Sequence, residues 1–157
     1  MTDTAQPLRL GPLRPQDRAA WEPLARGYKA FYETEVESAG YDAAWQRLMG
    51  GGVVLGLGAW LPAPGGGERL VGIAHALFHA STWSDTQCYL QDLFTADDVR
   101  GHGVAGALIA HLAGLAHARG ADRLYWLTHH TNARARRLYD RVATNKGFIR
   151  YDFPMPP

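Results

Sequence analysis

A glycine-rich hexapeptide, Arg100-Gly101-His102-Gly103-Val104-Ala105, stands where a loop passes into a predicted helix. Glycine lets the backbone N–H groups turn inward, and the N-terminus of a helix adds partial positive charge. Together these features predict a site for a phosphate or a pyrophosphate. An ordinary glycine-rich turn leading into a helix fits the same six residues equally well.

The overlapping run from Gly101 to Gly106 also matches the G-x-G-x-x-G pattern of dinucleotide-binding proteins. In those proteins the glycine turn follows its strand directly, whereas five residues separate Thr95 from Gly101 here. The strand before the turn contains Gln91 and Asp92, unlike the continuous apolar strand of a parallel sheet. We therefore reject a nicotinamide-dinucleotide site.

Asn132 and Tyr139 are seven residues apart in a predicted helix. They therefore lie on nearly the same helix face, roughly 10 Å from each other. A tyrosine hydroxyl, with a pKa of about 10, can donate a proton to a thiolate whose conjugate acid has a pKa of about 8.5. Tyr139 is a candidate general acid, and a half-buried helix tyrosine is the alternative.

Histidine and cysteine offer few further sites. His75 and His79 are four residues apart on a predicted strand, but no carboxylate set or cysteine pair completes a metal site beside them. His79 and His129 are instead candidate proton relays. The single cysteine, Cys88, is expected to be a small core residue, and it excludes an internal disulfide framework.

Charge is nearly balanced, with 16 Lys and Arg against 15 Asp and Glu and a formal net charge of +1. This balance argues against a dedicated nucleic-acid-binding module. Carboxylates and aromatic rings nevertheless gather near the end of the first predicted helix, a combination that suits a cationic amine. A solvated helix end would give the same pattern. These residues are Tyr28, Phe31, Tyr32, Glu33, Glu35 and Glu37.

The elements that must position these residues follow from hydrophobic periodicity. Strands are expected at residues 8–13, 53–61, 70–80, 89–95, 124–128 and 148–153, and helices at residues 15–35, 41–49, 104–120 and 132–142. The order β-α-α-β-β-β-α-β-α-β predicts a mixed α/β sheet with helices on both faces. A length of 157 residues predicts one domain over residues 1–157.

Three motifs follow one another along the chain: Tyr89-Leu90-Gln91-Asp92-Leu93-Phe94, the Arg100-x-x-Gly103-x-Ala105 loop, and Asn132-x-x-Ala135-x-x-Leu138-Tyr139. On these motifs the chain resembles the GNAT superfamily of acetyl-CoA-dependent N-acetyltransferases. It looks closest to the branch that holds the diamine acetyltransferases and the yeast histone and D-amino-acid acetyltransferases. Trp83 and the ending Phe148-Ile149-Arg150-Tyr151 add to that branch assignment.

The resemblance implies a GNAT fold with a mostly antiparallel sheet, in which the strand at residues 89–95 splays from the strand at residues 124–128. The pantetheine arm of acetyl-CoA would enter that gap, and the glycine loop would hold the pyrophosphate. Tyr139 would be the general acid for the departing thiolate. The implied cofactor-binding residues are Leu93, Phe94, Thr95, Arg100, Gly101, His102, Gly103, Val104, Ala105 and Asn132.

Gln91 departs from the pattern of the diamine acetyltransferases, which have a glutamate at this position. A glutamine cannot accept the proton that the attacking amine must lose. Asp92 matches the family, but regular strand pairing would point its side chain to the opposite face of the sheet. The general base is therefore not fixed by the sequence.

We therefore predict an acetyl-CoA-dependent N-acetyltransferase that acts on a primary amine by direct attack. The acceptor would be a small-molecule or peptide amine, and a homodimer is a family-based expectation. A catalytically weak acyl-CoA-binding or regulatory domain is the alternative, which Gln91 favours.

No apolar run approaches the roughly 20 residues that span a bilayer, and residues 1–7 are polar without a secretory pattern. We expect a cytoplasmic protein without metal, nucleic-acid or membrane partners.

Overall fold

The computed structural model describes residues 7–157, so most of the polar N-terminal stretch (residues 1–6) lies outside the described residues. The contacts divide the chain into two compact units, one ending at Leu127 and one spanning Thr128–Pro157. The larger unit contains β1 (Arg9–Pro12), α1 (Arg18–Phe31), α2 (Ser38–Met49), β2 (Val54–Pro62), β3 (Glu68–His79), β4 (Gln87–Thr95), α3 (Val104–Ala118) and β5 (Leu124–Tyr125). The smaller unit contains α4 (Ala133–Val142).

The five strands form one sheet in the order β1-β2-β3-β4-β5. The first four strands are antiparallel neighbours, whereas β5 runs parallel to β4. The β2–β3 hairpin turns through Gly65, Gly66 and Gly67, all with positive φ angles that favour glycine. The predicted mixed, mostly antiparallel sheet is confirmed.

Helices cover both faces of this sheet within the larger unit. On one face, Trp21 of α1 hydrogen-bonds His75 of β3, and its ring lies 5.1 Å from that of Trp45 in α2. On the other face, α3 places Val104 over Gly72 of β3, where an added Cβ would stand 2.8 Å from Val104 Cγ1. His75 and Gly72 are three residues apart, so strand alternation directs them to opposite faces.

The core lies where these helices meet the sheet. The largest fully buried side chains come from α1, three strands and α3. Burial of their apolar surface stabilises the packing of these helices on the sheet. They are Trp21, Leu57, Val71, Ile73, Cys88, Leu108 and Leu112.

The first helix is shorter than predicted. The segment begins as a 3-10 turn at Pro15–Asp17, and α1 then runs only to Phe31 instead of residue 35. Glu33 takes a φ of 53°, and Thr34 N–H returns to the carbonyl of Lys29 at 2.9 Å. This left-handed residue closes the helix, so the acidic residues that follow lie in the connection to α2.

Two predicted strands differ from the structure. The strand expected at residues 124–128 pairs with β4 at Leu124 and Tyr125 only. The strand expected at residues 148–153 does not form, since residues 143–157 contain no helix or strand. Its apolar residues suit a strand, but a strand needs a neighbour that accepts its hydrogen bonds, and no described segment pairs with it. The exposed side chains there are Phe148, Ile149, Tyr151, Phe153 and Met155.

A substitution at Gly27 tests how closely α1 packs on β4. A Cβ on Gly27 would stand 2.7 Å from Cε1 and Cζ of Phe94, whereas one on the helical Gly114 would meet nothing within 4 Å. Alanine in a helix gains up to about 1 kcal/mol over glycine, but overpacking costs about 1–3 kcal/mol. We expect Gly114→Ala to raise the free energy of unfolding by about 0.5–1 kcal/mol and Gly27→Ala to lower it by about 1 kcal/mol. Urea denaturation of both variants measures this, and equal stabilisation would contradict the close packing.

Candidate functional site

One edge of β4 is largely unpaired. β3 pairs with every residue of β4 except Gln91, but β5 pairs with β4 only at Cys88 and Tyr89. From Leu90 onward, no strand lies beside this edge among residues 7–157. The two strands diverge as the family resemblance implies, and the ladder groups they leave are available to another amide-bearing chain. The open stretch includes Leu93, Phe94 and Thr95.

The loop after β4 turns through two left-handed glycines. Gly101 has a φ of 83° and Gly103 a φ of 81°, values that favour glycine strongly. Between them, His102 donates its backbone N–H to the carbonyl of Val99 at 3.2 Å. Gly103 is the N-cap of α3, and nothing lies within 4 Å of the position where its Cβ would be. The loop therefore presents open space directly at a helix N-terminus.

The start of α3 is fixed by the sheet below it. Val104 is buried over Gly72, so the first turn of α3 cannot shift without moving β3. The first N–H groups of the helix, including that of Ala105, have no acceptor within the helix. Arg100 brings a guanidinium to the loop before the helix, where it pairs with Asp97 at 2.8 Å and lies 5.3 Å from the centre of the Phe94 ring. This arrangement can hold an anionic group.

In the smaller unit, Asn132 caps α4. Its Oδ1 accepts the backbone N–H of Ala135 at 3.3 Å, and its Nδ2 donates to Thr128 Oγ1 at 3.4 Å. This is the ordinary capping role of asparagine. Tyr139 lies two turns later and is half-buried. The cap sets where α4 begins, two turns before Tyr139.

A β-bulge interrupts the β3–β4 ladder at Gln91. Ala76 pairs with Leu90, whereas its neighbour His75 pairs with Asp92, so Gln91 is the extra residue. The regular alternation that underlies the opposite-face expectation for Asp92 is therefore absent. The Gln91 side chain is exposed, while Asp92 joins His75 on the face covered by α1.

Asp92 is the centre of a polar chain that links α1, β3 and β4. His75 Nδ1 lies 2.8 Å from Asp92 Oδ2, and Trp21 Nε1–H donates to His75 Nε2 at 3.0 Å. The Tyr28 hydroxyl lies near this carboxylate and donates to the backbone carbonyl of the neighbouring Gln91 at 3.5 Å. Sequence reasoning considered His75 only as a metal ligand and did not include Trp21, because only the bulged register brings these side chains into line.

Asp92 is held in its ionised form. Its burial acts to raise its pKa, but the hydrogen bond from His75, the nearby Tyr28 hydroxyl and the positive charge of Lys29 outweigh burial and lower the pKa below its usual value. Burial and the Asp92 charge together raise the pKa of Tyr28 far above its usual range, and they raise the pKa of Tyr32 as well. At neutral pH the ionised carboxylate of Asp92 therefore lies near the neutral hydroxyl groups of Tyr28 and Tyr32.

Aromatic rings cluster at the end of α1 beside this carboxylate. The Tyr28 and Tyr32 ring centres are 4.9 Å apart, and those of Phe31 and Tyr32 are 5.0 Å apart. Phe31 and Tyr32 are exposed, as are the acidic residues Glu33 and Glu35 that follow. The predicted combination of aromatic rings and carboxylates is present at the surface.

The two histidines considered as proton relays both form local hydrogen bonds. His79 Nδ1 donates to the carbonyl of Ala80 at 2.9 Å, so its Nε2 accepts the Tyr125 hydroxyl at 2.8 Å. His129 Nδ1 accepts the backbone N–H of Thr131 at 3.3 Å. His79 thus contacts Tyr125, the last residue of β5 that pairs with β4, and His129 belongs to the turn before α4.

Cys88 is buried in the core, where burial raises the pKa of its thiol to about 11. A thiol of this kind is a poor nucleophile at neutral pH. Within residues 7–157, no group of three or more His, Cys, Asp or Glu side chains is placed to hold a metal ion. Over the same residues, every helix is too short or too polar to cross a membrane.

The sequence as a whole matches a known family of enzymes. The Acetyltransferase (GNAT) family profile matches residues 21–143. The chain belongs to the GNAT family of acetyltransferases. It is 30% identical over 140 residues to a D-amino-acid N-acetyltransferase of Saccharomyces cerevisiae, covering 88% of this chain and 86% of that protein. It is also 33% identical over 81 residues to the thialysine N-epsilon-acetyltransferase of Bos taurus, covering 50% and 48% of the two chains.

Solved structures share the GNAT fold. A ribosomal-protein-alanine N-acetyltransferase from Brucella melitensis biovar Abortus 2308 superposes with a TM-score of 0.76 at 21% identity, covering 95% of this chain and 99% of the other. An aminoglycoside N-acetyltransferase in complex with CoA gives a TM-score of 0.82 at 13% identity, covering 99% of both chains. The predicted fold class, the predicted branch and the prediction of an N-acetyltransferase are confirmed. The comparisons do not favour a regulatory acyl-CoA-binding domain.

Proposed function

We propose that this GNAT protein transfers the acetyl group of acetyl-CoA to a primary amine by direct attack of the amine. One observation carries the proposal. The unpaired edge of β4 leads within a few residues into the left-handed glycine loop and the N-terminus of α3. CoA has the matching order of groups, an amide-bearing pantetheine arm followed by a pyrophosphate.

Two parts of the chain are proposed to bind two different parts of acetyl-CoA. Backbone groups of Leu93, Phe94 and Thr95 on the open edge would pair with the amides of the pantetheine arm. The N–H groups of the glycine loop and of the first turn of α3 would hold the pyrophosphate, with Arg100 nearby as a cation. When bound, acetyl-CoA supplies the thioester. The proposed loop residues are Arg100, Gly101, His102, Gly103, Val104 and Ala105.

In the smaller unit, Tyr139 would donate its hydroxyl proton to the leaving thiolate. Asn132 would contact the cofactor, and its cap orients α4, on which Tyr139 lies. The amine must be neutral to attack the thioester carbonyl. Gln91 is exposed and cannot take the ammonium proton, and the lowered pKa of Asp92 makes it a weak base. We propose that solvent water removes this proton.

The acceptor is proposed to be a small-molecule or peptide amine, since relatives are named for D-amino acids and thialysine and a structural neighbour for aminoglycosides. We further propose a single-domain, cytoplasmic protein that forms homodimers and has no nucleic-acid or membrane partner. The nearly neutral net charge of +1 supports the proposal about nucleic acids.

Acetyl-CoA turnover with an amine panel tests this function. The panel contains D-phenylalanine, thialysine, cadaverine and an aminoglycoside, and both the released CoA and the acetylated amine are quantified. We expect amine-dependent release of CoA matched by an equal amount of N-acetyl product. Binding of acetyl-CoA without product from any amine would favour the regulatory alternative.

Gly103→Glu should abolish acetyl-CoA binding. The substitution adds bulk and a negative charge where the pyrophosphate is proposed to lie, so repulsion and exclusion act together. Gly65→Glu is the matched control, because Gly65 also has a positive φ and open space around its Cβ position but lies in the β2–β3 hairpin. We expect calorimetry to detect binding only for the control, with circular dichroism unchanged for both. Unaltered affinity in Gly103→Glu would remove the loop from the site.

Tyr139→Phe isolates the proposed acid, because it removes one hydroxyl and keeps the ring. We expect kcat to fall roughly 100-fold, the low end for general acid–base catalysis, with little change in acetyl-CoA affinity. Tyr151→Phe, at an exposed tyrosine of the same unit, is the control and should leave kcat unchanged. Steady-state kinetics measure both variants. A kcat within about threefold of wild type would assign Tyr139 to packing.

The pH dependence of kcat/KM tests whether any residue of the protein acts as the general base. An amine with a pKa of about 10 is only about 0.1% neutral at pH 7, and this fraction rises about tenfold per pH unit. We therefore expect kcat/KM to rise almost tenfold per unit between about pH 7 and pH 9. Gln91→Glu should flatten the rise by supplying a proton acceptor. A wild-type profile that is already flat near neutral pH would show that another residue, such as His79 or His129, is the base.

A further inference from the structure

The imidazole of His75 has only one hydrogen-bonding arrangement available to it. The indole N–H of Trp21 can donate but not accept, so His75 Nε2 must be the acceptor. The ring hydrogen is therefore on Nδ1, directed at Asp92 Oδ2 at 2.8 Å. Trp21 is 1% exposed and His75 is 9% exposed, so water cannot easily replace either bond.

The Asp92 carboxylate keeps capacity for a further donor. An ionised carboxylate offers about four lone-pair positions, and the Nδ1–H of His75 occupies one of them. The Asp92 side chain is 21% exposed, so a group from solvent can reach it. Among residues 7–157, no lysine or arginine forms an ion pair with Asp92, and its ion-pair distance is to His75 alone.

The groups around this carboxylate suit a cation. Tyr28 of α1 and Tyr32 directly after this helix lie near the carboxylate as neutral phenols, and aromatic rings attract positive charge. His75 of β3 donates to it in the neutral form required by Trp21. Lys29 is the one cation of α1 whose charge acts on it. An ammonium group would thus find a fixed negative charge beside aromatic rings.

We propose that Trp21 and His75 are positioning residues that hold the Asp92 carboxylate for an ammonium group of the acceptor amine. This inference rests on the proposed amine acetylation and adds the residues that would hold the acceptor's ammonium group. Asp92 binds the ammonium group and orients the acceptor. His75 keeps the carboxylate in place through Nδ1–H, and Trp21 prevents the ring from turning or changing its tautomer.

Asp92→Asn tests the charge with little change in shape. Asparagine keeps an oxygen that can accept from His75, so the fold should be retained. Cadaverine is the probe, and its binding to the enzyme in the presence of CoA is measured by calorimetry. We expect affinity to fall about 10- to 100-fold, as for a lost hydrogen bond to a charged group. Asp122→Asn, at an exposed residue of the same unit, is the control and should bind cadaverine as wild type does.

Kinetics with cadaverine and pentylamine show which ammonium group Asp92 binds. Loss of kcat/KM for cadaverine alone in Asp92→Asn supports binding of the non-reacting ammonium group. An equal loss for both amines supports binding of the group that is later acetylated. Unchanged affinity and unchanged kcat/KM for both amines would overturn the proposal.

Variants of His75 test the positioning role. His75→Leu removes both hydrogen bonds, whereas His75→Gln keeps one amide donor and one carbonyl acceptor. We expect His75→Leu to raise the KM for cadaverine about tenfold while kcat changes little, and His75→Gln to recover part of the loss. A purely structural role would instead lower stability without this separation of KM from kcat. Equal KM values for wild type and His75→Leu would contradict the positioning role.

Two further measurements distinguish failure of the ammonium site from misfolding of a variant and from failure of the proposed function. Nitrogen-15 NMR of the wild-type imidazole should show the hydrogen of His75 on Nδ1, and a hydrogen on Nε2 would overturn the arrangement even if a variant failed to fold. Acetyl-CoA affinity should be unchanged in Asp92→Asn and His75→Leu. If no amine is acetylated but cadaverine binding still depends on Asp92, the proposed function fails and the ammonium site stands.

Discussion

β4 is paired at every residue except Gln91 on one side and at only two residues on the other. An unpaired edge in the middle of a sheet leaves polar backbone groups without partners, a state that proteins seldom tolerate away from a ligand or water. The other elements are arranged around this edge. α1 lies close against one face at Gly27, α3 starts over Gly72 on the other face, and the glycine loop continues directly from the end of the strand.

Sequence reasoning succeeded where the signal is local. Hydrophobic periodicity located β2, β3, β4 and α3 to within a few residues, and the glycine spacing identified the loop whose φ angles are positive at Gly101 and Gly103. Such features depend on neighbouring residues in the chain. The divergence of β4 from β5 came from the family resemblance instead, because periodicity does not report how far two strands remain paired.

Features that depend on distant partners could not be predicted in this way. The bulge at Gln91 adds one residue to β4 and changes which side chains meet, and nothing in the local pattern marks it. The link from Trp21 through His75 to Asp92 joins residues 54 and 17 positions apart and exists only in that register. The predicted last strand failed for the same reason. The apolar residues of 148–153 fit a strand, but pairing is set by a partner that the pattern does not include.

Cys88 has a consequence for how the protein behaves toward thiol reagents. It is the single cysteine of the chain, it is fully buried between the sheet and the helices, and its thiol stays protonated at neutral pH because its pKa is about 11. The thiol of the native protein therefore reacts very slowly with maleimides and disulfide dyes. A chromogenic thiol dye can consequently follow thiol release in real time with little background from the enzyme. A cysteine introduced at the surface would accept a fluorophore selectively, without prior removal of the native one.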